Sequence, residues 1–361
     1  MTPGESPAPT RLGRPPRHAV IAAVLALAVA ACHRTPGSPA RAAHAAAAPS
    51  RPPLVYVTNE GSGDLTVIDS ATDEVVATVK LGKRPRGVHL DATGERIFVA
   101  ISGKPIPGAR RFPEGPPPEG IGVVDAAKRA LATVLPAGED PESFAVLADG
   151  RTLVVSNEDS ASVTFVDAAA ARDVATVEVG REPEGVTASP GGEVVAVASE
   201  RDARLELVDP AAHRLIASVP TCGRPRMVAF APDGALAFAS CEEPGQVQIV
   251  DVRGRKADGV IQLPAESRPM GLAMSPDGAR LYVSNGNAGT VSAIDVAARK
   301  VVATAERVGA RCWGIALTPD GRKLYVANGK SNDVSVVDTA SMSVVKRIAA
   351  GSLPWGVAIS R

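Results

Sequence analysis

The chain has 361 residues, and its 39 basic side chains cancel its 39 acidic ones. That balance argues against a nucleic-acid-binding protein, whose footprint is a basic excess, and the length fits a single all-β domain. Aromatic residues make up only 3% of the chain, so its core must use small aliphatic and β-branched side chains, which suits short strands joined by tight turns.

In chain order, the first predicted element is a targeting segment, residues 1–31, which is left out of fold reasoning. Arg11, Arg14 and Arg17 form its basic head, and Ala19 to Ala31 is an apolar run of 13 residues. A transmembrane helix needs roughly 20. The run ends VAAC at Val29 to Cys32, which resembles the bacterial lipobox. The resemblance implies cleavage before Cys32 and a lipid anchor on its sulfur, holding the protein to a membrane of the cell envelope. His33 follows the cysteine, and sorting rules for such proteins then favour the outer membrane. An ordinary secretory cut near Ala31 is the alternative. Residues 32–53 are Ala/Pro/Arg/Ser-rich without an apolar period and read as a disordered tether.

From Leu54 onward the chain repeats. Leu54, Ile97, Leu153, Val195, Ala237, Leu281 and Leu324 open successive copies at spacings of 43, 56, 42, 42, 44 and 43 residues. A period near 40 with four short alternating segments is the signature of a propeller blade. The expected fold is an all-β, seven-bladed β-propeller of four-stranded antiparallel blades over residues 54–361. Each copy has a second strand such as LYVSN, a polar loop and a third strand ending in Asp. Those aspartates are Asp69, Asp125, Asp167, Asp209, Asp251, Asp295 and Asp338. They fall where strand meets turn, so they read as Asx-turn residues rather than acids or metal ligands. The ordered part starts in a second strand and finishes, at Trp355 to Arg361, in a first one. The C-terminal strand should therefore complete the N-terminal blade and remove both free edges. The repeats, with YVTN at Tyr56 to Asn59, resemble the YVTN family of seven-bladed propellers. Fold follows from that resemblance; function does not, because propellers host many unrelated tasks.

The loops leading into the innermost strands differ between copies. They read RPRG (Arg84 to Gly87), DPES (Asp140 to Ser143), EPEG (Glu182 to Gly185), RPRM (Arg224 to Met227), RPMG (Arg268 to Gly271), RCWG (Arg311 to Gly314) and LPWG (Leu353 to Gly356). Their Pro and Gly have a structural use, presetting the bend and permitting close approach at the hub. Arg84, Arg86, Arg224, Arg226, Arg268 and Arg311 are expected in one sector of the rim, with Asp140, Glu142, Glu182 and Glu184 opposite. Trp313 and Trp355, the only two tryptophans, fall among the basic blades. Such a mouth suits a planar or carboxylate-bearing ligand; the plainer reading is that the charges solvate the rim and neutralise one another. His89 stands in an innermost-strand column otherwise filled by Ala or Thr, and reads either as a ligand-binding imidazole or as a core histidine. The second copy carries an insertion, Ile101 to Gly120, on the same face as the rim, either a lid or a tolerated loop.

Chemistry-bearing motifs are few. Within the propeller only His89 and His213 are histidines, which builds neither a haem nor a typical zinc site, and no metal or other cofactor is expected. There is no nucleophile elbow or phosphate loop, so no catalytic residue is assigned. Cys222 and Cys241 fall near one face of one blade and are a candidate disulfide, while Cys312 is expected as a free, partly buried thiol. The reading is an exported, monomeric, non-catalytic protein whose propeller face binds a protein partner or a small anionic ligand. The alternative is a hydrolase at the channel mouth like the lactonase-type propellers. The RPRG and LPWG loops and NGKSNDVSVVD (Asn328 to Asp338) are similar to the YVTN subgroup that accompanies PQQ-dependent alcohol oxidation. That similarity implies an accessory to a periplasmic quinoprotein system.

Overall fold

The computed structural model describes residues 52–104 and 119–361. The signal segment, Cys32 and nearly all of the tether lie outside the described residues, as does most of the insertion. Among the described residues there are 28 strands in seven four-stranded antiparallel sheets and no helix. The seven innermost strands are Pro85–Leu90, Pro141–Val146, Pro183–Ala188, Pro225–Phe230, Pro269–Met274, Cys312–Leu317 and Pro354–Ile359. Each packs against the innermost strand of the next blade, which closes the ring.

The last of these, Pro354–Ile359, pairs with Leu54–Asn59 and so completes blade 1. Val55 lies opposite Ile359 in the register, and Leu54 N donates to Ser360 Oγ at 2.8 Å. Blades 2 to 7 are each a continuous stretch of chain beginning at Pro85, Pro141, Pro183, Pro225, Pro269 and Cys312.

Alternation along the strands explains the packing, since successive side chains leave opposite faces of a sheet. Val55 and Val57 join Tyr325, Ala327, Val334 and Val336 between blades 7 and 1. Tyr56, Leu65 and Val67 face the other way, onto Val88, Ile97 and Val99 of blade 2. Both faces of every blade are thus covered, so the middle strands are almost fully buried. Only the outermost strands expose apolar side chains, such as Val75 and Val345.

All seven strand-ending aspartates accept from backbone N–H groups two or three residues on, including Ala71 N to Asp69 at 2.7 Å and Ser341 N to Asp338 at 2.8 Å. They are turn residues, as expected. At the hub, a Cβ on Gly356 would lie 2.5 Å from the Arg86 carbonyl oxygen, and one on Gly314 2.5 Å from that of Trp355. Only glycine lets neighbouring blades approach this closely. Hydroxyls staple the same seam: Thr58 Oγ1 donates to Arg86 O at 2.6 Å and accepts from Gly356 N at 2.9 Å. Ser156 and Ser284 repeat this bridge to Glu184 O at 2.8 Å and Trp313 O at 2.5 Å.

The asparagine that ends the YVTN motif is buried and clamps its own hairpin. Asn59 Nδ2 donates to Asp64 and Thr66, both at 2.8 Å, and Asn157, Asn285 and Asn328 do the same in their blades. Cys222 and Cys241 form a disulfide with Cα atoms 5.7 Å apart, and Cys312 is a free thiol, fully rather than partly buried.

Candidate functional site

The residue just before each innermost strand carries the side chains of interest, and it sits in an unusual backbone state. Arg84, Asp140, Glu182, Arg224, Arg268, Arg311 and Leu353 all have positive φ, between 44° and 60°. Non-glycine residues avoid this left-handed region, and each such residue stores strain of order 1 kcal/mol or more. The conformation directs seven side chains to one end of the hub. Five of them, Arg84, Glu182, Arg224, Arg311 and Leu353, line a cavity of about 520 Å³ there.

The expected separation into a basic and an acidic sector is not what the structure shows; the two sets interlock. Arg86 pairs with Glu142 and lies 3.5 Å from Glu158 and 3.2 Å from Glu60. Arg84 donates to Glu60 at 2.9 Å and reaches within 3.9 Å of Asp140. Arg226 holds Glu184 at 2.5 Å, Glu242 at 2.8 Å, and Glu200. Arg224 adds Glu200 at 2.5 Å, and Arg268 reaches Glu242 and Glu243 at 3.4 and 3.2 Å. The reason is that Arg86 and Arg226 stand on the blades that flank the acidic pair, with charged side chains taken out of water. A buried guanidinium must find carboxylates.

Glu60, Glu158, Glu200 and Glu242 were not among the residues singled out from sequence. Each follows the last residue of a second strand, in NEGSG, NEDSA, SERDA and CEEPG. That position belongs to the same face of the disc as the lead-in loops, which is the signal that identifies them. Around blades 1 to 5, Glu60, Asp140, Glu142, Glu158, Glu184, Glu200 and Glu242 outnumber Arg84, Arg86, Arg224 and Arg226. Protonation relieves the excess. Burial, then the Glu184 and Asp140 carboxylates, push Glu158 up to about 7. Burial and the Glu184 carboxyl hydrogen-bonded to it push Glu200 up to about 8. Burial works against the charge of Arg226, but Glu184, Glu200 and Glu242 hold its pKa above the ordinary value.

Carboxylate oxygens of Glu142, Glu158 and Glu184 lie within 4.8 Å of one another, close enough for a cation. Arg86 already bridges the first two and Arg226 holds the third, so guanidinium groups occupy the role a metal would take.

The wall formed by blades 7 and 1 is different. Trp313 and Trp355 stack with ring centroids 5.4 Å apart and planes 28° from parallel. The Arg311 guanidinium lies 4.8 Å from the Trp313 ring centroid, and that of Arg226 lies 6.0 Å from it. Lys330, also missed from sequence, lines the cavity beside them. Gly329 sits at the indole edge, where a Cβ would come within 3.1 Å of Trp313 Cδ1.

His89 is not part of this site. Its ring packs edge-on against Phe144 with centroids 5.0 Å apart, and burial lowers its pKa to about 4. Its column faces the neighbouring blade: Ala145, Ala229, Ala273 and Ala358 belong to the clusters between blades. At the base of the insertion, Ser102 donates to Asp140, and Glu119 accepts from Asp140 N at 2.5 Å. The insertion thus leaves and rejoins the fold beside the mouth.

No protein-family model and no curated protein sequence matches the chain. Solved structures do. A functionally unknown protein from Desulfotomaculum acetoxidans aligns with a TM-score of 0.72 at 14% identity, over 85% of this chain and 99% of its own. A Bacteroides fragilis protein with a provisional 6-phosphogluconolactonase assignment aligns with a TM-score of 0.71 at 15% identity, over 87% and 100%. Hydrazine synthase of Kuenenia stuttgartiensis aligns with a TM-score of 0.69 at 19% identity, over 80% and 92%. At these identities the likeness carries the fold alone: this chain is a seven-bladed β-propeller of the architecture those proteins share.

Proposed function

We propose that the protein is a non-catalytic, exported binding propeller whose mouth takes a protein partner or a small anionic ligand. One observation carries this reading: charged and tryptophan side chains from all but one of the blades converge on one cavity at the hub. A concave site lined by a few convergent charged and aromatic groups is the usual form of a binding site. The Cys222–Cys241 disulfide supports an oxidising compartment, in line with export and with anchoring through Cys32. The similarity to the PQQ-associated subgroup makes a periplasmic quinoprotein system the first place to seek the partner.

The test is a pull-down from detergent-solubilised envelope with wild type and an Arg224→Ala/Arg268→Ala/Arg311→Ala variant, chosen because these three are the least buried of the rim arginines. Loss of specific partners in the variant is expected. Recovery of the same partners by both sinks the reading.

A hydrolase is the second reading, favoured by Glu158 and Glu200, whose raised pKa values of about 7 and about 8 suit proton transfer near neutrality. Hydrolysis of a lactone panel, abolished by Glu158→Gln, would establish it. The cavity has no activated nucleophile among the described residues, which ranks this reading second.

A further inference from the structure

We infer that the wall of blades 7 and 1 binds a planar aromatic carboxylate, its ring on the Trp313/Trp355 pair and its acid group between Arg311 and Lys330. The inference rests on the mouth being the binding face and specifies what that face recognises.

Charge pairing around the mouth is uneven. Arg84, Arg86, Arg224, Arg226 and Arg268 each have at least one carboxylate within 3.5 Å. Arg311 and Lys330 have no carboxylate partner among the described residues, although both line the cavity. In their sector the loops read RCWG and LPWG, blade 7 continues with Gly329 and Lys330 after its second strand, and the one acid of blade 1, Glu60, is already engaged by Arg84 and Arg86. Two exposed cations are thus kept free of internal neutralisation where the rest of the rim is fully paired.

The same wall supplies an apolar plane. The two indoles stack 5.4 Å apart, and no protein group accepts from either indole N–H among the described residues. Gly329 packs against the edge of Trp313, where a side chain would crowd the indole. The wall therefore offers a guanidinium, an ammonium and an aromatic surface, with the nearest acid, Glu60, held by Arg84 and Arg86. An anion with a conjugated ring satisfies all of these together, through charge-assisted hydrogen bonds and stacking. A cavity of about 520 Å³ lies in the range of small-molecule sites.

The opposite wall limits the ligand. Blades 3 and 4 stand across the ring from blades 7 and 1, and present Glu142, Glu158 and Glu184 within 4.8 Å of one another. A second carboxylate on the far end of the ligand would meet these acids, so a single acid group is preferred.

The test is isothermal titration calorimetry of the purified protein at pH 7 and low salt with three probes. They are naphthalene-2-carboxylate, its neutral analogue naphthalene-2-methanol, and the non-planar anion cyclohexanecarboxylate. Saturable binding of the naphthoate is expected, with each analogue at least about tenfold weaker, the scale of a lost charged hydrogen bond. Arg311→Gln, an exposed substitution that leaves the core intact, should cost a similar factor. Absence of naphthoate binding, equal binding of either analogue, or full affinity in Arg311→Gln would each overturn the inference. If the envelope pull-down still depends on the rim arginines while no aromatic acid binds, this ligand is wrong and the mouth stands as a partner site. If both fail, the binding reading itself falls.

Discussion

Replacing Arg226 by leucine removes a buried cation shared by three carboxylates. Its guanidinium serves Glu184 at 2.5 Å, Glu242 at 2.8 Å, and Glu200, with the side chain only 12% exposed. Breaking a buried ion pair by deleting one partner costs about 3–5 kcal/mol, because a desolvated charge is left uncompensated. Two features pull the expectation to the lower end. Glu200 already holds a proton near neutrality, and Arg224 remains on Glu200 at 2.5 Å and near Glu242 at 3.5 Å. About 3 kcal/mol at roughly 2 °C per kcal/mol for a domain of this size gives a Tm drop of about 6 °C at pH 7.5. At pH 5 the stripped carboxylates take up protons, so the deficit should fall to about half. Differential scanning calorimetry of both proteins at the two pH values, at fixed ionic strength, measures this. A drop under about 2 °C at pH 7.5, or an equal drop at both pH values, would show that the buried network does not depend on Arg226.

The pH dependence of the wild type should be opposite in sign to ordinary acid denaturation. Glu158 and Glu200 have folded-state pKa values raised to about 7 and about 8. The folded state thus binds more protons, and stability present below the unfolded carboxylate range is lost as pH rises through about 8. Denaturation midpoints should decline from pH 5 to 8.5 and decline less in Glu200→Gln; a midpoint rising across that window contradicts the assignment. Deleting residues 354–361 removes the innermost strand of blade 1 and bares the edge of Leu54–Asn59, so the variant should unfold earlier or oligomerise on size exclusion. An unchanged midpoint with a monomeric profile would disprove ring closure as a source of stability. Replacing Cys222 and Cys241 by serine opens a loop with a sequence separation of 19, at an expected cost of about 3 kcal/mol in denaturant titration. No change there would mean the bridge leaves the unfolded chain unconstrained.

The fold was legible because its signals are local and repeat. A turn aspartate, a Pro-led bend and a hub glycine each act within a few residues, and seven copies let the period be counted. The charged mouth was legible only in part. Arg86 and Glu142 stand in different blades, and nothing in RPRG or DPES says that one will reach the other; only the ring brings them together. Glu60 and Glu158 look like ordinary polar-loop residues, because each has meaning only beside arginines from another blade. Left-handed backbone at Arg84 or Arg311 was hidden for a related reason. It is imposed by how a chain must enter the crowded hub, and not by the propensity of arginine. His89 was ambiguous until its column was seen to face Phe144.

The pairing of Leu54 with Ser360, 306 positions apart, also sets an order of events as the chain is made. At about 5–20 residues per second, the first three strands of blade 1 exist for some fifteen seconds or longer before their fourth is synthesised. Blades 2 to 6 each bring their own strands together within one stretch of chain, so they can form as they appear. Blade 1 meanwhile waits with its hub-side edge bare, open to an errant strand from another nascent chain. Crowded synthesis is therefore the condition under which this protein is most exposed to mispairing, and the vulnerable surface is the edge of Leu54–Asn59.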